Sequence, residues 1–545
     1  MSDSKETNSE GLADQIRDNA DLLAKAAEIE PPEHSRKLPT VKVDQPVSDA
    51  AREIGMILAA SPLFRSGPAF VTIGKERGKT ELMTTDRFRS WIESYLWAEK
   101  PKGESYIVST MTRDFAGMIL ASDHFREHIR VLKGINLVRL PAWRGSSEVK
   151  VSVDGPFWLK EGSDLHVELL PPGYDEQTQT YTLEQVKFRH DLPLAEAEDF
   201  LTKTLARFPW ALEEGEITNG RSIGGHFAAM IGVFCRSMFK EGTVRPMIVY
   251  NGNQPGSGKS LLMRMALSPV HGAPAEKTKP NNEELRKILD IAAFKWKPYV
   301  ALDDVASLHS NDLNAFTNSA VHEPRRLGLS EDEECFNVTQ VFTTGNQLIV
   351  SEDVVRRIVV VDLFEPGKAT ERTFEKELTQ DWLSLPDTRA QFLAALWAIV
   401  REWNENGRPA CKEARHTSAG QWANVIGAIV HNFNQQLKPF AKRTFSLGGD
   451  ESGAATESLL CAIASGLPSS GDEFTASQLL ERAEELNLLE VIAGHNKDMR
   501  KALGWKMRNL KGRVFTDSKG RRFEFGKRDK SFGASYPFTF RDANS

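Results

Sequence analysis

The sequence predicts an α/β fold built on a largely parallel sheet, and three observations point to it. Short β-branched apolar runs recur at Met247–Tyr250, Tyr299–Leu302, Val338–Thr343 and Ile358–Val361, with helical stretches between them. Buried strands separated by helices are the pattern of a sheet covered on both faces. The first run passes through a glycine-rich segment straight into a helix, and residues 371–440 then read as all-helical, with Phe392–Trp403 the clearest helix.

Taken in order, the 545 residues are expected to fold as several units, since roughly 100–200 residues make one domain. Residues 1–45 read as a disordered acidic tail, with nine acids against five bases in the first 40. Residues 46–192 mix helix and hairpin signals and read as an α+β N-terminal domain. Within it Ala50–Leu58 and Arg87–Trp97 read as helices, and Ala69–Ile73 and Val149–Val153 as strands. Residues 193–370 hold the alternating helices and strands, residues 371–445 a helical lid, and residues 446–456 a Gly/Ser/acid-rich linker. Residues 457–545 form a basic C-terminal domain.

Composition excludes some classes. The four cysteines, Cys235, Cys335, Cys411 and Cys461, lie far apart with no CxxC, which argues against a disulfide scaffold or a zinc ribbon. Phe392–Val400, the longest clean apolar run, is too short to span a bilayer, and the first ten residues lack a basic and apolar leader pattern. A cytoplasmic protein without a membrane partner is expected. The formal net charge of −6 is an average over unlike parts, because Lys497–Ser545 carries 14 Lys+Arg and 5 Asp+Glu.

The strongest motif is Asn253-Gln254-Pro255-Gly256-Ser257-Gly258-Lys259-Ser260, followed by Leu261. Strand, glycine-rich loop and helix are the context a phosphate-binding loop requires. Gly256 and Gly258 let backbone N–H groups curl inward, and the helix N-terminus adds a favourable dipole. Lys259 would pair with the β- and γ-phosphates of ATP, and the Ser260 hydroxyl would ligate Mg²⁺. Asn253 stands where the first glycine of the pattern belongs, and asparagine tolerates left-handed backbone better than other residues with a side chain. A shorter look-alike, Gly74-Lys-Glu-Arg-Gly-Lys-Thr80, reads as a charged hairpin turn.

Tyr299–Asp304 is an apolar strand ending in two acids. Asp303 would hold Mg²⁺, directly or through water, and Asp304 would polarise the attacking water. Val338–Asn346 is a second strand ending in an amide, and Asn346 would orient that water or touch the γ-phosphate. Asp353-Val-Val-Arg-Arg357 precedes the last strand. Of Arg356 and Arg357, at least one is expected to reach a neighbouring subunit's ATP, and the sequence does not choose between them.

The ordered set NQPGSGKS, ALDD, TTGNQ and SEDVVRR resembles the AAA+ class and compact superfamily 3 helicases, and more closely the ATPases of plasmid, phage and integrative-element primase–helicase proteins. Arg325-Arg326-Leu-Gly-Leu-Ser330, Pro172-Gly-Tyr-Asp175, Phe208-Pro-Trp210 and Trp422 agree with that group. The resemblance covers residues 135–440. It implies an AAA+ P-loop core working as a homo-oligomeric ring, a hexamer, that translocates on DNA during replication of a mobile element, with any primase or polymerase a separate polypeptide. It also offers Arg389 as a sensor-2 arginine, against the plainer reading of a helix-start arginine. Arg325 and Arg326 are the candidates for a DNA-contacting hairpin, or else bridge subunits; the lysine usual in such hairpins is missing, since none occurs from Pro298 to Gly367.

At the C-terminus, a helix capped by Thr475, a basic helix Lys497–Leu510 and a hairpin over Gly512–Phe525 resemble a winged-helix domain. Lys501, Lys506, Arg508, Arg521 and Arg522 are its candidate DNA contacts, with docking to an acidic protein as the other reading. His124 and His128 share a helix face without a third ligand. The function expected is an ATP-dependent DNA helicase or translocase. The alternative is an AAA+ switch or remodelling ATPase, such as an initiator, a loader or an immune-type protein, that binds DNA or a partner without unwinding.

Overall fold

The computed structural model describes residues 38–74, 78–145, 164–211, 220–278, 282–305, 307–308, 310–323, 335–346, 348–350, 354, 356–365, 378–441, 451–467, 472–486, 514–516, 521–526, 528–530 and 533–541. The chain divides into two compact units, Met1–Leu132 and Lys133–Ser545. Residues 1–37 of the expected tail, the strand Val149–Val153, the hairpin arginines Arg325 and Arg326, and the basic helix with Lys501, Lys506 and Arg508 fall outside the described residues.

The first unit packs four helices, Val47–Leu58, Thr85–Ile92, Arg113–Ala121 and Asp123–His128, around Ile54, Leu58, Phe70, Phe88 and Phe125. Two expectations change here. The tail ends before residue 40, because Thr40–Lys42 is a strand that buries Val41 and pairs in parallel with Trp97–Glu99. The helix expected over 87–97 is Thr85–Ile92, started by Thr84 Oγ1 accepting from the Arg87 N–H, and Trp97 already belongs to the strand Trp97–Lys102. In the look-alike loop, Gly74 N–H donates to Lys79 O at 2.9 Å between antiparallel strands Ala69–Ile73 and Thr80–Leu82.

The second unit begins sixty residues before the expected boundary at 192. The reason is the core. Val138, Leu140, Ala142, Val167 and Leu169 are buried in the same apolar cluster as Phe392, Trp403 and Trp422. Two polar ties reinforce it: Val167 N–H donates to Asn404 Oδ1 at 3.0 Å, and Arg401 Nη2 to Leu192 O at 2.7 Å.

The elements that carry the site follow in chain order: α1 (Gly220–Phe234), β1 (Met247–Gly252), α2 (Lys259–His271), β2 (Glu276–Thr278), α3 (Asn282–Phe294), β3 (Tyr299–Asp303), β4 (Gln340–Asn346), β5 (Ile358–Leu363), α4 (Pro386–Glu405) and α5 (Gly420–Phe433). The five strands form one parallel sheet in the order β2-β3-β4-β1-β5. Successive residues point to opposite faces. Ile248, Tyr250, Ala301, Phe342, Val359 and Val361 enter the core with α1, α2, α4 and α5, while Met247, Val249, Val300, Leu302, Val341 and Ile358 pack with Leu285 and Leu289 of α3. The helices beyond residue 371 therefore share the main core with the sheet, in contrast to the separate lid expected: a Cβ on Gly232 of α1 would lie 2.5 Å from the Trp422 ring of α5. The third expected strand starts at Gln340, two residues late, because Asn337 Oδ1 accepts from Thr339 N–H and turns the chain first. β2 was not expected.

A buried ion pair crosses this framework. Arg221 of α1 bonds Asp362 of β5, and both are almost wholly buried. Asn251 Nδ2 donates to the other Asp362 oxygen at 2.9 Å, and Asn251 Oδ1 accepts from Leu348 N–H at 3.1 Å. Such a pair contributes mainly if every remaining lone pair is satisfied, and here each partner is itself held.

The C-terminal part has helix α6 (Glu451–Gly466), β6 (Glu473–Thr475), α7 (Ala476–Glu485), β7 (Val514–Thr516), β8 (Arg522–Phe525), β9 (Arg528–Lys530) and β10 (Gly533–Arg541). α6 overlaps the expected linker: Thr456, Leu459, Leu460, Ile463 and Ala464 are buried at i, i+3, i+4, i+7 and i+8, a helical stripe that Gly/Ser content concealed. Thr475 caps α7 in a reciprocal capping box with Gln478. β7 and β8 pair antiparallel, with residues 517–520 outside the described set. Among the described residues no helix is long and apolar enough to cross a membrane.

Candidate active site at the carboxyl edge of the sheet

Parallel strands put all their carboxyl ends on one edge, where the crevice of an open α/β sheet lies. β1 register sets Gly252 beside Asn346 of β4 on one side and Leu363 of β5 on the other. Asp303 ends β3 on the same edge. The chain leaves β1 through residues 253–258 and enters α2 at Lys259.

Two glycines shape this loop. Gly256 has φ 80° and Gly258 φ 101°, left-handed angles that a side chain resists. Pro255 and Gly256 form its exposed tip. The loop is held from outside by two contacts that local sequence does not announce. Asn253 Nδ2 and Gln254 Nε2 donate to Glu365 O at 2.8 and 2.9 Å, and Glu365 N–H donates to Asn253 Oδ1 at 3.0 Å. The asparagine that replaces the first glycine thus clamps the loop to the exit of β5. Phe208 packs beneath Gly258, where an added Cβ would meet its ring at 3.0 Å.

Lys259 is 7% exposed. Its ammonium donates to Asn346 Oδ1 at 2.7 Å, Gln254 O at 3.0 Å and Ser257 Oγ at 3.2 Å. All three acceptors are neutral. Burial pushes the ammonium below its ordinary range, opposed by the carboxylates of Asp304 and Asp303. Gly252 leaves room for this side chain: a Cβ there would lie 2.6 Å from Ser257 Oγ and 3.0 Å from Lys259 Cδ.

Asp303 Oδ1 accepts from Ser260 Oγ at 2.7 Å and from Thr344 Oγ1 at 2.6 Å. Thr344 Oγ1 in turn accepts from Asp304 N–H at 3.0 Å. Asp304 has φ 55°, a left-handed conformation that costs energy in any residue with a Cβ. Gly345 makes the approach possible, since a Cβ on it would sit 2.3 Å from Val305 O. A hydroxyl and a carboxylate facing each other beside a buried cation fit a small hard metal that keeps most of its waters, and Ser260 and Asp303 are the residues that would hold Mg²⁺. A glycine-rich loop entering a helix beside the buried Lys259 ammonium fits a polyphosphate such as that of ATP. Leu261 is half-buried against the main core and stands behind the loop.

Sequence reasoning missed Thr344, Glu365 and the packing role of Phe208. Thr344 lies inside the quoted TTGN block, but its link to both acids depends on β3–β4 register. The structure does not bring three other candidates to this edge. Arg356 and Arg357 precede β5, at the amino edge, about 20 Å away along a six-residue strand. Arg389 was expected as a sensor, and this is corrected: its buried Nε donates to Ser268 O at 3.0 Å and Pro269 O at 3.3 Å. Those carbonyls end α2, about 13 Å from Lys259 at 1.5 Å per residue, so Arg389 satisfies a helix C-terminus.

Arg521, a candidate nucleic-acid contact, is held within the C-terminal part. Its guanidinium donates to Leu467 O and Ala464 O at 3.0 and 2.7 Å at the end of α6, and lies 4.2 Å over the Phe540 ring. Arg522 remains exposed on β8. Away from the sheet, Cys411, Glu413 and His431 bring ligand atoms within 4.8 Å of one another. The Cys411 thiol donates to Glu413 at 3.3 Å, and burial pushes it up, so it stands protonated.

No family model matches this sequence, and no curated protein matches it. Among solved structures the chain is similar to the apo A form of the NrS-1 C-terminal region, at 14% identity and a TM-score of 0.33, over 81% of this chain and 93% of that one. A second structure of that region, spanning its residues 305–718, is 13% identical with a TM-score of 0.35, over 82% of this chain and 87% of the other.

Proposed function

We propose that this chain is an ATP-hydrolysing motor of the AAA+ type, an ATP-dependent DNA helicase or translocase that serves replication of a mobile element as a homo-oligomeric ring. One observation carries the reading: Lys259, Ser260, Asp303 and Asn346 converge within hydrogen-bond distance behind a glycine-rich loop, at the carboxyl edge of a parallel sheet. Lys259 would exchange the Gln254 carbonyl and Asn346 amide for phosphate oxygens, which accept more strongly because they are charged. Asn346, released, would face the γ-phosphate or the water beside it. Asp304 would take that water's proton, aimed by its left-handed backbone and the Thr344 tether. Ser260 and Asp303 would hold Mg²⁺, which would supply Lewis-acid neutralisation of phosphate charge.

The position of Arg356 and Arg357 supports the ring. Both lie too far from the chain's own loop to serve it, and Arg356 is exposed at the opposite edge. The C-terminal excess of 14 Lys+Arg over 5 Asp+Glu supports a polyanion partner.

ATP turnover with and without single-stranded DNA, then strand displacement on forks carrying one tail at a time, tests this. Wild type should hydrolyse ATP, respond to DNA and displace a strand, and Lys259→Ala should lose turnover by on the order of 100-fold or more. Intact turnover in Lys259→Ala would sink the site. ATP-dependent assembly without displacement would replace the motor by a switch.

A further inference from the structure

The opposite edge of the same sheet holds a cleft of about 1050 Å³ that none of the chemistry above uses. It opens at the amino ends of the strands: Arg245 lies two residues before β1, Trp296 three before β3 and Val338 two before β4. Four cations line it, Lys133, Arg236, Lys240 and Arg245, against one carboxylate, Glu241. Lys133 already pairs with Glu241 at 3.1 Å. Arg245 donates to Thr243 O at 3.0 Å and lies 5.8 Å over the Phe239 ring. Among the described residues no carboxylate is within ion-pair distance of Arg236 or Arg245. Burial pushes both guanidinium groups down to about 10, and at Arg245 the repulsion of Arg236 adds to it. Buried cations in a cleft whose one carboxylate is already paired are costly unless an anion arrives.

The aromatic residues narrow the choice of anion. Trp143, Trp296 and Phe336 line the same cleft, and Phe336 is 46% exposed. Trp296 has φ 50° in the turn that closes α3, where Lys297 N–H reaches back to Ala292 O at 2.9 Å. Glycine or asparagine is the usual residue at that place, and a tryptophan there is strained backbone kept for its ring. Lys295 and Lys297 flank it, in the run Phe294-Lys-Trp-Lys297. Alternating cations and rings suit a strand whose phosphates are charged and whose base faces are bare; a duplex would hide those faces.

We propose that this cleft binds single-stranded DNA, with Arg236 and Arg245 on the phosphates and Trp296 and Phe336 against the bases. The choice of DNA rests on the motor reading, but the site is open to measurement without ATP. A fluorescein-labelled oligothymidylate of twenty nucleotides would be titrated at several salt concentrations, with polarisation as the readout. Arg236→Gln/Arg245→Gln should weaken binding at least tenfold and reduce the salt slope by about two, one for each lost phosphate contact. Trp296→Ala should weaken binding with the salt slope unchanged, because stacking releases no counterions. Turnover of ATP without DNA should be unchanged in all of them.

To separate contact loss from misfolding, Arg236→Lys/Arg245→Lys should keep most of the affinity, and an oligonucleotide carrying 5-iodouracil should crosslink to Trp296 or Phe336. Wild-type affinity in the double glutamine variant, crosslinks only elsewhere, or no binding by the wild type would each overturn the cleft. A failed Lys259→Ala test would remove the motor and leave this result standing.

Discussion

At the carboxyl edge of the sheet, the Lys259 ammonium meets three neutral acceptors that account for all its N–H groups. At the amino edge, Arg236 and Arg245 line a cleft with one carboxylate, itself already paired. Between the two edges, Arg221 and Asp362 neutralise each other in the core. One sheet therefore handles buried cations in three ways. A pair needs nothing further. A cation among neutral dipoles is poised to exchange one of them for a charged oxygen. Two cations together are a standing cost that an anion would offset.

The contrast breaks most visibly at Lys259. Lys259→Met keeps the stem volume and removes the buried charge. ATP turnover should fall by on the order of 100- to 1000-fold, while the thermal midpoint holds or rises. A large drop in the midpoint would mean that the ammonium is structural.

The next effect is acid sensitivity at the middle of the sheet. His226 of α1 is fully buried beside Tyr250, 3.1 Å from its hydroxyl, and burial pushes its imidazole down to about 3. Its folded pKa lies below the unfolded ~6.5. The neutral ring thus contributes stability fully above ~6.5, and that contribution is lost as pH falls toward 3. Linkage gives an upper bound of ~5 kcal/mol. Denaturant melts at pH 7, 6, 5 and 4 should show His226→Gln with a shallower acid limb than wild type. Parallel limbs would count against the buried neutral imidazole.

Gly345→Ala should cost about 2 kcal/mol, as overpacked sites do, because the new methyl group would sit 2.3 Å from Val305 O and 2.5 Å from Leu348 Cδ2. Calorimetry measures the cost, and a turnover assay should show loss as Asn346 is displaced. The smallest change is expected at the amino edge. Arg245→Gln relieves repulsion from Arg236 and should raise stability by roughly 0.5–1 kcal/mol. A loss of that size would show that the arginine supports the fold instead.

The sequence made contiguous features legible. Four apolar runs marked strands, and the loop of residues 253–260 marked its own turn, because β-branched content and glycine act locally. What it hid depends on partners distant in the chain. Glu365 meets Asn253 only through β1–β5 register, and Thr344 meets Asp303 only through β3–β4 register. Arg389 and Arg521 look like free cations in a string of letters, and both turn out to close helix ends, since no local pattern says which carbonyls lack partners. The boundary at 192 failed for a similar reason. Val138, Leu140 and Val167 are apolar in sequence, but that their cluster includes Trp403 is visible only after folding.

The strand order has a consequence in time. β1 is apolar and paired on both sides, yet its neighbours are β4 and β5, which leave the ribosome long after it. At roughly 5–20 residues per second, the ~90 residues from β1 to β4 take on the order of ten seconds. For that interval Met247–Tyr250 has no strand beside it, and the fifth strand comes later still. During synthesis the residues around Lys259 are exposed to chaperones and to other nascent chains well before they can close around a nucleotide.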